Sequence, residues 1–135
     1  MYDSRRSLGD KTFRWEYDAL NRVTKETYPD GNYLQYTCDA LGRRTQLRDP
    51  DGNLTTSTYN ATTLRLASTQ HPFSGTTDYA YNAYGELTGI DYENGTSVRY
   101  VYDGLGRVTE VNNLDMIQDP LCAISYTYND NSNIT

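Results

Sequence analysis

Histidine, cysteine and clustered carboxylates are the usual raw material of catalysis and metal binding, and this sequence carries few of them. His71 is the only histidine, and beside Pro72 in a loop it reads as a solvated turn residue rather than a general base. Asp49, Asp51 and Asp119 carry the oxygen donors that calcium prefers, but no dense acidic loop surrounds them. Cys38 and Cys122 are the only cysteines. Two thiols far apart in the chain do not make a disulfide framework; Cys38 reads as a small buried thiol, and the role of Cys122 is not legible. The triplets beginning at Asn53, Asn60, Asn94 and Asn133 match the glycosylation pattern, yet each is also a turn asparagine followed by a strand threonine. The expectation is a chain with no catalytic residue, no metal site and no cofactor.

The acidic residues recur for another reason. A short phrase returns along the chain as WEYDALNRVT, YTCDALGRRT, STYNATTLRL, YAYNAYGELT, VYDGLGRVTE and YTYNDNSNIT. Its anchors are Tyr17, Cys38, Tyr59, Tyr81, Tyr102 and Tyr128, so the steps are 21, 21, 22, 21 and 26 residues. Self-similarity at that period is a repeat architecture. Each anchor is followed by Asp18, Asp39, Asn60, Asn82, Asp103 or Asn129, whose side chain can accept a bond from the backbone two residues on. Three residues later come Asn21, Gly42, Thr63, Gly85, Gly106 and Ser132, completing a type I turn signature. Half a period on, Pro29-Asp30-Gly31, Pro50-Asp51-Gly52, Gly75 and Asn94-Gly95 mark a second set of hairpin turns. A periodic carboxylate in these places is a structural device before it is an acid or a base. Arg22, Arg43 and Arg107 follow the first turn at one equivalent position and read as cross-strand partners for acidic neighbours.

Between the marks lie runs of five to seven residues that alternate with period two, as in Arg22 to Tyr28. These are strands, and no window carries the three-and-four spacing of an apolar helix face. Trp15 and Tyr17, Tyr36 and Cys38, Tyr79 and Tyr81, Tyr100 and Tyr102, and Tyr126 and Tyr128 stand two apart, so each pair shares one side of its strand. Glu16, Thr37, Thr58, Ala80, Val101 and Thr127 point the other way. The expected fold is all-β: consecutive antiparallel hairpins whose aromatic rings fall into files on one face of a curved or spiral sheet. A lone hairpin is marginal in water, so neighbouring units must support one another. One array over residues 1–135 is expected. It comprises a worn first repeat at 1–16 opened by Tyr2-Asp3, clear repeats over 17–111, an insertion at 112–123 and a final copy at 124–135 cut off inside its repeat. The copy at 60–70 is read as losing both the glycine and the arginine of the phrase.

Composition agrees with a sheet of tyrosines. Of 135 residues, 14 are Tyr against two Phe and one Trp, and a tyrosine buries a ring while its hydroxyl stays bonded. A net charge of −6 argues against a nucleic-acid partner, which would call for clustered Lys and Arg rather than the pairs Arg5-Arg6 and Arg43-Arg44. No apolar run is long enough to span a bilayer, and the first residues lack the apolar centre of a secretory signal. The rings of Tyr36, Tyr79, Tyr100 and Tyr126 could alternatively stack on sugars of a cell-surface glycan, although every copy repeats them alike, as packing would require.

These phrases resemble the RHS/YD-repeat family, most closely in YDALNRVTKETYPDG, CDALGRRTQLRDPDG and YDGLGRVTEV. The resemblance implies hairpins wound into a spiral sheet. In bacterial RHS toxins, in the C component of insecticidal toxin complexes and in teneurins, such sheets form a hollow shell, which in the toxins holds a C-terminal toxic domain. It further implies a secreted or cell-surface location within a larger bacterial protein, a non-catalytic role and docking onto further repeats or self-association through strand edges. Carbohydrate binding has also been linked to such repeats. Asp49-Pro50-Asp51-Gly52 superficially matches the family's autoproteolytic Asp-Pro-x-Gly, but it falls on a regular hairpin turn.

Overall fold

The computed structural model describes residues 12–134; the opening of the worn first repeat at Tyr2-Asp3 lies outside that range. Eleven strands and no helix make up the described residues: β1 (Arg14–Tyr17), β2 (Val23–Thr27), β3 (Tyr33–Cys38), β4 (Arg44–Arg48), β5 (Leu54–Tyr59), β6 (Leu66–His71), β7 (Gly75–Tyr81), β8 (Leu87–Tyr92), β9 (Ser97–Tyr102), β10 (Val108–Leu114) and β11 (Pro120–Ser125). Hydrogen-bonded neighbours follow chain order, as expected when each antiparallel pair is closed by a short local turn. Two compact units are distinguished, residues 1–56 and 57–135, with their boundary inside β5.

In the first unit β1 to β4 form successive antiparallel pairs, with Trp15 opposite Glu26, Glu26 opposite Leu34 and Tyr36 opposite Leu47. This register places Trp15, Leu34, Tyr36 and Leu47 on one face, while Lys25, Gln35, Thr37 and Gln46 share the other. The second unit repeats the scheme: Tyr79 lies opposite Ile90, Ile90 opposite Val98, and Tyr100 opposite Val111. The interleaved Thr37, Thr58, Ala80, Val101 and Thr127 are exposed, whereas their tyrosine neighbours are half-buried or buried. Among the described residues only Tyr36, Gly89 and Ser97 are buried, Tyr36 and Ser97 at 8% and 2% exposure. No second layer covers the aromatic face there, so cohesion comes from strand-to-strand ladders and from side chains that bridge repeats.

Four of the first-type turns end in a bulge. Thr24, Thr45, Thr88 and Thr109 are passed over in the pairings of β1 with β2, β3 with β4, β7 with β8 and β9 with β10. The Thr45 hydroxyl donates to the Thr37 carbonyl (3.2 Å) and that of Thr109 to the Val101 carbonyl (3.3 Å). A bulge frees a ladder carbonyl, and at Thr45 and Thr109 the threonine two residues after the turn arginine satisfies it.

Two stretches depart from the sequence reading. In the turn at 60–65 one extra residue is accommodated: Leu64 donates its N–H to the Asn60 carbonyl and takes the left-handed conformation at φ 60°. Leu64, rather than Thr63, is therefore the counterpart of the turn glycine, and Arg65 is the arginine, displaced by one place and not lost. Residues 112–123, read as an insertion, hold the end of β10, a turn from Asp115 to Gln118 and the start of β11. That turn has the second-mark geometry with Gln118 in place of glycine at φ 66°, and the longer spacing accompanies a seven-residue β10.

Candidate functional site

Side chains of the same kind recur at the first-type turns of each unit. At Asp18, Oδ1 accepts the N–H groups of Leu20 (2.9 Å) and Arg22 (3.0 Å), and Oδ2 takes Arg22 Nε at 2.6 Å. Asp39 grips Leu41 and Arg43 in the same way, and Asp103 grips Leu105 and Arg107. One carboxylate thus closes the turn backbone and clasps the arginine four residues on. All three carboxyls are held below their ordinary value of 3.8. The leading cause is the Arg22 N–H at Asp18, the Arg43 guanidinium at Asp39 and the Arg107 N–H at Asp103. Asn60, Asn82 and Asn129 supply the same backbone caps without charge.

The second turns are built alike on the opposite strand ends. Gly31 and Gly52 donate to the carbonyls of Tyr28 and Asp49, and Gly95 donates to that of Tyr92. Pro29 and Pro50 occupy the second turn position. Asp30 Oδ1 caps Asn32, Asn94 Oδ1 caps Thr96, and Asp49 holds Asn53 through both its N–H and its amide; that amide is the chief reason the Asp49 carboxyl titrates low. Asp51 lies exposed in its turn. Gly75 turns at φ 73° against the Glu93 side chain, and a Cβ there would overlap it.

Contacts between successive repeats use the turn arginines and the anchor tyrosines. Arg22 Nη1 donates to the Asp39 carbonyl of the next turn at 2.7 Å, and Arg107 Nη1 reaches Ser132 Oγ at 3.2 Å. The Arg65 guanidinium lies 5.8 Å from the Tyr81 ring centre and fills the space beside Gly85, whose missing Cβ makes room for it. The Arg107 guanidinium stands 4.6 Å over the Tyr128 ring. In return, the Tyr102 hydroxyl donates to the Leu87 carbonyl at 2.7 Å and the Tyr128 hydroxyl to that of Val108. These two anchor rings are thereby tied by their hydroxyls to the strand that follows the preceding turn. Sequence reasoning lines up the tyrosines but misses these bonds, because a backbone carbonyl leaves no trace in residue type.

Tyr17 is exposed at the start of the described array, Tyr59 and Tyr81 are half-buried, and Cys38 takes the anchor position in β3 as a free, half-buried thiol. Of the rings considered for sugar stacking, Tyr36 is buried with the Arg44 guanidinium 3.9 Å from its centre, while Tyr79, Tyr100 and Tyr126 are half-buried. His71 accepts the N–H of Phe73 at 3.2 Å in its own turn, and Cys122 is exposed on β11. Among the described residues no group of three His, Cys, Asp or Glu side chains is arranged to hold a metal ion, and no helix is long and apolar enough to cross a membrane.

Comparison with known proteins agrees with this geometry. Among curated protein sequences, none matches the chain. A chain in the crystal structure of a TcdB2-TccC3-Cdc42 complex superposes with a TM-score of 0.72 at 20% identity, covering 90% of this chain and 7% of that one. A Tc holotoxin pore from Photorhabdus luminescens gives a TM-score of 0.63 at 16% identity, over 91% of this chain and 9% of that one. The sequence therefore spans less than a tenth of the solved chains whose fold it shares. The RHS Repeat family matches residues 7–33, 17–60 and 81–115, well over half of the sequence. With the clasped turns at Asp18, Asp39 and Asp103 and the anchors Tyr17, Tyr59, Tyr81 and Tyr102 falling inside those matches, the chain belongs to the RHS repeat family.

Proposed function

We propose that this array is wall material of a hollow β-shell, a non-catalytic segment of a larger secreted protein in which the enclosed space shelters a toxin or effector domain. The observation that carries the reading is the direction of the side-chain bonds. Arginine guanidinium groups and tyrosine hydroxyls make contacts between one repeat and its neighbour, and no second layer covers the described sheet. A repeat of this kind is stabilised by its neighbours and extends by adding copies. Strand edges are a liability in such a sheet, and continuation into further repeats, or closure, removes them. Family membership and likeness to chains of Tc toxin complexes support the same role. The array is accordingly read as one continuous run over residues 1–135, its partners being the repeats on either side and an enclosed domain.

Electron microscopy of the parent protein carrying this segment tests the proposal. A hollow particle with additional density inside is expected. A solid globule, or an extended array without an interior, overturns it.

A further inference from the structure

Two repeats depart from the arginine file, with Glu86 after the turn at 82–85 and Asn133 after the turn at 129–132, and only the first puts a carboxylate there. Arg22, Arg43, Arg65 and Arg107 follow their turns at one structural place, but the turn at 82–85 is followed by Glu86. The clasp there is inverted: Asn82 Nδ2 donates to Glu86 Oε2 at 2.6 Å, whereas in three other turns an aspartate accepts from an arginine. In the Arg65 and Arg107 repeats the guanidinium lies by the ring of the next anchor tyrosine. At the corresponding place beside Tyr102 there is instead a carboxylate and a cavity of about 470 Å³. Glu86, Thr88 and Tyr102 line it, with Tyr84 and Leu105 at its rim, 88% and 76% exposed. Glu86 Oε1 lies 2.7 Å from where a Gly106 Cβ would stand, so a side chain there would push the carboxylate aside. Among the described residues Oε1 has no donor, while Asp103 at the same cavity is fully engaged with Leu105 and Arg107.

From this arrangement we infer that the cavity between the turns at 82–85 and 103–106 is a binding site for a guanidinium group, presented by an arginine side chain of another polypeptide segment. The incoming group takes the position that the chain's own arginine occupies in neighbouring repeats. It pairs with Glu86 Oε1 and stacks on Tyr102, a carboxylate and an aromatic face being the two surfaces a planar guanidinium satisfies together. The inference does not depend on the shell proposal, since it uses only geometry within this one pair of turns.

The test is amide chemical-shift titration of the chain with the capped tripeptide Gly-Arg-Gly, with the citrulline tripeptide as a neutral isostere and methylguanidinium as the free cation. Saturable shifts at Tyr84, Gly104, Leu105 and Gly106 are expected with the arginine peptide and not with citrulline. Methylguanidinium should bind more weakly, since it lacks the stem and backbone that rest against the rim. Glu86→Gln should weaken binding about tenfold, as loss of a charged hydrogen bond does, and Glu86→Arg should abolish it by restoring the file. Tyr84→Ala, which touches none of the turn hydrogen bonds, is a second variant expected to fold normally and bind less tightly. Absence of saturation, equal shifts with citrulline, or unchanged affinity in Glu86→Gln overturns the inference. Binding of methylguanidinium as tight as the peptide overturns the assignment to a polypeptide.

Discussion

The hydroxyl of an anchor tyrosine does two jobs in this sheet: it stays hydrogen-bonded while its ring is half-buried, and it ties one repeat to the one before. Tyr102 and Tyr128 make that bond to the carbonyls of Leu87 and Val108, the first residues of β8 and β10. Cys38 holds the equivalent position, and the equivalent carbonyl belongs to Val23. A thiol is shorter and a weak donor, so this repeat lacks the tie, although Arg22 is already placed beside it by its bond to the Asp39 carbonyl. Cys38→Tyr should therefore stabilise the chain by about 1 kcal/mol, the net worth of one hydrogen bond, read from the midpoint of urea unfolding. Cys38→Phe supplies the ring without the hydroxyl. If it stabilises as much as tyrosine does, the bond to Val23 is not the source.

At the scale of the hairpin, the turns were legible and the joints between them were not. Asp or Asn at the first turn position and glycine at the fourth stand out because a left-handed backbone favours glycine, and Gly42, Gly85 and Gly106 all turn at φ near 80°. Where Leu64 and Gln118 take that conformation instead, the signal disappears, which is why the turn at 60–65 was misaligned by one residue and the hairpin at 115–118 read as an insertion. The bulge at each threonine was equally hidden, since it changes pairing without changing composition. The aspartate clasps carry a pH consequence. Asp18, Asp39, Asp49 and Asp103 have folded values depressed below 3.8. Their contribution is therefore fully present above the unfolded carboxylate range and is lost as pH falls through the depressed folded values. Acid unfolding followed by circular dichroism should show stability flat above about pH 5 and falling below about pH 4. The Asp103→Asn variant, which keeps the backbone cap as Asn82 does, should lose part of that slope. An unchanged acid limb in Asp103→Asn would show that the clasp is not what titrates.

A molecule assembled this way should respond to damage locally. Side-chain ties run between adjacent repeats, and among the described residues only Tyr36, Gly89 and Ser97 are buried, so there is no common core through which a defect would spread. Stability in such arrays is a sum of repeat terms and nearest-neighbour terms. Tyr102→Phe deletes one tie between β8 and β9 and preserves the ring. Amide exchange should then quicken by about five- to tenfold, the loss of roughly 1 kcal/mol, at Leu87 to Tyr92 and Ser97 to Tyr102. Protection of Val23 to Thr27 and Tyr33 to Cys38 should stay as it was. Tyr36→Ala is the reciprocal case, loosening β2 to β4 and leaving β8 to β10 protected. Uniform loss of protection across all strands in either variant would mean that the sheet opens as one cooperative body, and the neighbour-by-neighbour account of its stability would then be wrong.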